Sequence, residues 1–267
     1  MKISYSTVGC PDWMLNEVLA AARDFGYDGV EIRGLGEDLF LPEAPCFGPK
    51  RLKTSLKEIS SSGVAISCIS ADASCLLSSH SLDVVSNIRR YCDLTKLVGA
   101  ANIRILADEW GKPNPSVDRE LVYENLAAAA PYAEKVGVKL LIETCGVYAE
   151  TSVTRELIER VASPAVGVLW DIHHPYRYFG ESAETTLKNV GEWIGHVHVK
   201  DSVMIDGEPQ YKMLGYGDLP LADMLGRLKA SGYDGHLSLE WMKRWNDELE
   251  APGIVFAHYA RNIKKYI

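Results

Sequence analysis

Residues 138–171 read VKLLIETCGVYAETSVTRELIERVASPAVGVLWD, and this stretch decides the fold. Its two ends, VKLLIE at 138–143 and VGVLWD at 166–171, are short runs rich in Val, Leu and Ile. Apolar runs of that length are strands covered on both faces, as in a parallel sheet. Between them, 152–162 is amphipathic and long enough to carry the chain back to the starting edge of the sheet. The unit is β-α-β, and each strand closes on a carboxylate, Glu143 and Asp171.

The same alternation extends in both directions. Further strands are predicted at 2–8, 28–33, 64–69, 102–106, 194–200 and 236–241. Helices are predicted at 14–25 behind Asp12, 50–62 with Pro49 near its start, 82–98 behind Ser81 and 117–136 behind Ser116. Three more follow at 182–190, at 220–231 behind Asp218, and at 254–266. Gly26, Gly63, Gly99, Gly137 and Gly232 each precede a strand, where a helix C-cap with positive φ belongs. Eight strands alternating with eight helices predict a single (β/α)8 barrel over 1–267, with no linker.

Two more candidate ligands repeat the pattern of Glu143 and Asp171: His198 lies in HVHVK, and Glu240 closes HLSLE. Glu143 to Asp171 spans 28 residues, Asp171 to His198 spans 27, and His198 to Glu240 spans 42. The surplus in the last interval falls in DSVMIDGEPQYKMLGYGD at 201–218, which reads as a polar, Gly-rich loop expected to fold over the active site. Within it, LGYGD reads as a turn capped by Asp218, the alternative being amides presented to a phosphate.

In a closed parallel barrel the C-terminal strand ends converge, so Glu143, Asp171, His198 and Glu240 can meet at one point. Three carboxylates and an imidazole suit one divalent ion, with Mn²⁺ favoured and Mg²⁺, Co²⁺ or Zn²⁺ as alternatives. A net charge of -8 argues against nucleic acid and anionic membrane as partners and favours a small molecule. No uncharged apolar run approaches the ~20 residues of a membrane span. The start, MKISYSTV, lacks the features of a signal peptide, so a cytoplasmic location is expected. Cys10, Cys46, Cys68, Cys75, Cys92 and Cys145 form no CxxC pair and are expected to be reduced.

EIRG after GYDGV, LLIET, VLWDIHH, GHVHVKD and GYDGHLSLEW together resemble the xylose isomerase-like TIM-barrel superfamily, the sugar phosphate isomerase/epimerase family, over essentially the whole chain. The resemblance implies a divalent-metal-dependent isomerase or epimerase of a small sugar or polyol derivative, working through a metal-bound enediolate. It maps the metal ligands onto Glu143, Asp171, His198 and Glu240, makes Glu143 and Glu240 the acid/base pair, and implies a homo-oligomer. By the same likeness His174 binds a substrate oxygen, and Glu31 and Arg104 line the pocket.

There are departures from the family pattern. Sugar 3-epimerases of this family usually carry an Arg six residues beyond the metal His, where this chain has Met204. Lys200 shares a strand face with His198 and His196, and HVHVKD is similar to relatives that dehydrate cyclic polyols such as inososes, or keto acids. Lys200 could donate a proton to a departing hydroxyl, which makes a dehydratase the alternative activity. A salt bridge of Lys200 with Asp201, and a pairing of Arg104 with Glu31, are the plainer readings of those residues. A barrel that binds ligand without turnover is a third functional reading. The endonuclease branch of the superfamily needs extra His at the ends of strands two to four, and EIRG, SCIS and IRILAD supply none. His196 is expected inside the barrel as a supporting donor, and His173 in a structural role. Trp13, Trp110, Trp170 and Trp241 lie near predicted strand ends, where packing is the expected role and sugar stacking the alternative.

Overall fold

A computed structural model describes residues 1–109 and 112–267. Eight parallel strands close into a barrel: β1 (Lys2–Ser6), β2 (Gly29–Ile32), β3 (Ala65–Ser70), β4 (Asn102–Ile105), β5 (Lys139–Glu143), β6 (Val166–Asp171), β7 (Ile194–Val199) and, completing the ring, β10 (His236–Leu239). Each pairs with its neighbour in sequence, and β10 closes the circle against β1 through Ile3 opposite Leu237 and Tyr5 opposite Leu239. Closure leaves no unpaired edge in the ring. All eight predicted strands are present, and the (β/α)8 barrel is the fold.

The helices are α1 (Leu15–Phe25), α2 (Leu52–Ser62), α3 (Val84–Leu97), α4 (Arg119–Val136), α5 (Thr151–Val161), α6 (His174–Phe179), α7 (Ala183–Val190), α8 (Leu221–Ala230) and α9 (Pro252–Asn262). Helices α1, α3, α4, α5, α7 and α8 each bury several residues of one face in the core; in α5 the apolar ones are Val153, Leu157 and Ile158. Gly26, Gly63, Gly99, Gly137 and Gly232 all have φ between 74° and 87°, the left-handed turn that ends a helix. The helix starts differ from expectation. Asp118 rather than Ser116 caps α4, accepting from the amides of Glu120 and Leu121, and Met14 rather than Asp12 precedes α1.

The segment 201–218 is not an irregular loop. It holds an antiparallel hairpin, β8 (Asp201–Ile205) with β9 (Glu208–Lys212), joined at Asp206 and Gly207 with φ of 51° and 80°. Two successive positive φ values are the tight turn that Asp-Gly favours, so IDGE carried a hairpin signal that polarity hid. The segment is polar because much of the hairpin faces water: Met204 and Ile205 are themselves exposed. Beyond it, Asp201 rather than Asp218 organises LGYGD, its carboxylate accepting from the amides of Gly215, Gly217 and Leu219. A Cβ on Gly217 would stand 2.0 Å from Asp201 Oδ1, so the cradle requires glycine there. Those amides are occupied from within the chain.

All six cysteines are free thiols. Among the described residues no helix is long and apolar enough to cross a membrane.

Candidate active site

The strand registers bring the four predicted ligands to one level. Asp171 on β6 stands opposite His198 on β7, His198 opposite Ser238 on β10, and Glu143 ends β5 beside Leu169. Glu240 lies one residue past β10, its amide still bonded to the carbonyl of Val199. One donor atom from each of Glu143, Asp171, His198 and Glu240 falls within 4.8 Å of the others. All four residues are buried.

His198 is the centre of this group. Its Nδ1 lies 3.2 Å from Glu143 Oε1, 3.5 Å from Glu240 Oε1 and 3.8 Å from Asp171 Oδ2. On the far side its Nε2 meets Glu31 at 3.1 and 3.0 Å, and Glu31 also receives His196 Nε2 at 3.1 Å and Ser70 Oγ at 2.6 Å. Glu31 thus orients the ring from behind, as carboxylates do for metal-binding imidazoles. Glu31 does not pair with Arg104, and as a fully buried carboxylate it backs His198 instead of lining the pocket mouth. His196 has the supporting place inside the barrel that its register suggests.

The outer oxygens of the two glutamates rest on cations. Arg104 on β4 meets Glu143 Oε2 through Nε and Nη2, both at 2.5 Å. Lys200, just past β7, bonds Glu240 Oε2, lies 2.6 Å from Asp171 Oδ2 and 3.1 Å from His174 Nε2. Lys200 therefore pairs with Asp171 and Glu240, not with its neighbour Asp201. His174 begins α6 because Asp171 Oδ1 accepts the amides of His173 and His174, turning the chain sharply after β6. His173 is held by Ser202 Oγ at 3.0 Å and lies 5.7 Å, ring to ring, from Tyr211 of β9. The hairpin thus packs beside the Lys200 wall.

Electrostatics follow from burying this many charges. Burial alone would raise Glu143, but Arg104, then His198 and Lys200, hold it well below the usual carboxylate range. Asp171 is raised, because burial and the charge of Glu143 outweigh Lys200 and His198. Burial and the nearby Lys200 push His174 down to about 3, so its ring is neutral and Nε2 accepts from Lys200. Burial opposes a charge on His198, yet Glu31, Glu240 and Glu143 together drive it well above its ordinary value.

These observations test the fit of a cation. Around His198 Nδ1 the buried carboxylates of Glu143, Asp171 and Glu240 face the cations Arg104 and Lys200, so negative charge is in excess there. Asp171 Oδ2 receives no aligned hydrogen bond although Lys200 stands 2.6 Å away. Converging oxygens with spare lone pairs and one imidazole nitrogen fit a divalent ion. Two other acid and His groupings fit less well. In Glu31, His196 and His198 the carboxylate is already committed to the rings, and in Asp171, His173 and His174 the Oδ1 is spent on backbone amides.

Next to Glu240 opens a cavity of about 330 Å³, lined by Val8, Arg33, Leu76, Arg104, Met242 and Trp245 among others. The sequence reading missed Arg33 and Trp245. EIRG offered the signal, because Arg33 stands one residue past the end of β2, at the mouth of the barrel. Of the tryptophans singled out, Trp170 and Trp241 are core residues, and Trp13 packs edge-on against Phe256. Trp110 lies outside the described residues.

Among curated proteins, fructoselysine 3-epimerase of Escherichia coli O157:H7 is 25% identical over 93% of this chain and 93% of its own length. A probable 3-DHS dehydratase from Bacillus anthracis superposes with a TM-score of 0.77 at 17% identity, covering 99% of both chains. The IOLI protein with a binding zinc atom gives 0.77 at 18% identity, over 100% of this chain and 99% of that one. At those identities the two structures establish a shared barrel. The family model for the xylose isomerase-like TIM barrel matches residues 19–255, and the chain belongs to that family.

Proposed function

We propose that this protein is a divalent-metal-dependent isomerase or epimerase of a small sugar or polyol derivative. The observation that carries this reading is the matched division of Glu143 and Glu240, each with one oxygen at His198 Nδ1 and the other on a cation. The similarity to a fructoselysine 3-epimerase over nearly the full length of both chains supports it.

Glu143, Asp171, Glu240 and His198 through Nδ1 would hold the ion. When bound, the ion supplies Lewis-acid polarisation of a substrate carbonyl and the adjacent hydroxyl, which acidifies the intervening C–H. One glutamate takes that proton as base, and its partner returns a proton to the other face or the neighbouring carbon. Arg104 keeps Glu143 ionised and oriented. Lys200 and the neutral His174 stand where they can bond substrate oxygens, and burial of the set keeps water from competing for the proton. Mn²⁺ suits these mixed donors, and reconstitution with Mn²⁺, Mg²⁺, Co²⁺ and Zn²⁺ in turn ranks them.

A second reading, a dehydratase, is favoured by one observation: the Lys200 ammonium bridges Asp171, Glu240 and His174 and could protonate a departing hydroxyl. Incubating the metal-loaded protein with ketoses, fructoselysine and inososes in heavy water, read by mass spectrometry, separates the two. One deuteron gained at constant carbon skeleton is the result expected of an isomerase or epimerase. Loss of a water molecule gives the dehydratase, and neither outcome across the panel overturns both.

A further inference from the structure

The cavity beside Glu240 contains a charge that this proton chemistry does not use. Arg33 follows β2 with its amide fixed on Thr7 Oγ1 at 2.9 Å, and its guanidinium lines the same cavity as Arg104 and Glu240. The two arginines differ in one respect. Arg104 is neutralised by Glu143, whereas Arg33 forms no ion pair among the described residues, and its Nη1 is buried without a hydrogen-bond partner.

The carboxylates whose charges act on Arg33 are engaged elsewhere. Asp72 accepts from Ser74 Oγ at 2.6 Å and Tyr91 Oη at 3.4 Å, and Glu240 is bound by Lys200. Glu109 also lines the cavity but is exposed, where solvent screens it. Burial and the neighbouring Arg104 draw Arg33 down to about 10, outweighing Tyr91, Asp72 and Glu240. A half-buried guanidinium whose Nη1 is buried without a partner is costly and is matched by a planar or tetrahedral anion. Leu76, Leu106, Met242 and Trp245 make the remaining wall apolar, suited to the carbon chain between that anion and the reacting end.

We propose that Arg33 forms an anion subsite, so that the substrate carries a carboxylate or phosphate remote from its reacting carbon. This deepens the proposed function and rests on Glu143 and Glu240 marking the reacting end. The amides of Gly215, Gly217 and Leu219 do not compete for the anion, being filled by Asp201.

The test is calorimetric binding of erythritol, erythronate and erythritol 4-phosphate to the metal-loaded full chain. At least one anionic compound should bind roughly tenfold or more tightly than erythritol, and the better one tells carboxylate from phosphate. Arg33→Met should abolish the preference, and Arg33→Lys should keep part of it. Equal affinity for all three compounds, a preference that survives Arg33→Met, or no anion binding at millimolar concentration would overturn the subsite. An intact preference without proton exchange on any sugar would leave the subsite standing and remove the proposed reaction. Proton exchange on a sugar by the metal-loaded wild type, with equal affinity for all three compounds, would do the reverse.

Discussion

On the β5 side of the site, Glu143 directs Oε1 to His198 and Oε2 to the guanidinium of Arg104. On the β10 side, Glu240 divides its oxygens the same way, between His198 and the ammonium of Lys200. The outlines match and the partners differ. A guanidinium grips a carboxylate with a rigid fork and never gives up its proton, while an ammonium is a point charge whose proton is exchangeable. Arg104 serves one carboxylate; Lys200 also touches Asp171 and His174. Under the proposed function, Arg104 is a clamp on one arm and Lys200 is placed to pass a proton on the other.

The largest effect should come from breaking either arm at its centre. Glu143→Gln and Glu240→Gln are each expected to lower kcat by about 10²–10⁴ at saturating metal, the usual worth of a positioned acid or base. Steady-state rates of the two variants check this, and near-wild-type turnover in one would take that residue out of the mechanism.

Removing the cations should sharpen the contrast. Arg104→Met strands a buried Glu143 and should destabilise the protein by about 3–5 kcal/mol. Bound metal would offset the stranded charge in both variants, but more in Lys200→Met, where Asp171 and Glu240 both lose their cation, so the extra loss in chelator over Mn²⁺ should be larger for Lys200→Met. Chemical denaturation of both variants with and without metal measures the difference. Identical metal dependence in the two would erase the distinction between the arms.

A smaller effect is expected from the support common to both. Glu31→Gln loosens His198 from behind and should weaken metal affinity by roughly 10–100-fold, read by competition with a chelator. Unchanged affinity would mean that the Glu31 contact does not orient the ligand.

The barrel was legible because strands such as KLLIE and VGVLWD are rich in Val, Ile and Leu, and because Gly26, Gly63, Gly99, Gly137 and Gly232 end their helices with φ that only glycine adopts freely. The ligand set was legible for a related reason: in a parallel barrel, the end of a strand in sequence is the mouth of the barrel in space. The pairings were not. The plainer of the two readings of Lys200 set it against Asp201, its neighbour in sequence, yet successive strand residues face opposite sides, so Asp201 turns to the amides of Gly215 and Gly217. The plainer reading of Arg104 set it against Glu31, but β4 adjoins β5, and the shorter reach is to Glu143. The hairpin at 201–212 was hidden by its exposure, since a strand pair facing water lacks the apolar run that marks the barrel strands.

The central claim is that two carboxylates handle one substrate proton. It is tested most directly by nuclear magnetic resonance of deuterium entering the substrate in heavy water, for metal-loaded wild type, Glu143→Gln and Glu240→Gln at equal metal occupancy. The account predicts a single deuteron at the carbon beside the carbonyl in wild type and a loss of that labelling in both variants. Wild-type conversion without label, as in a direct hydride shift, or full labelling in both variants would contradict it.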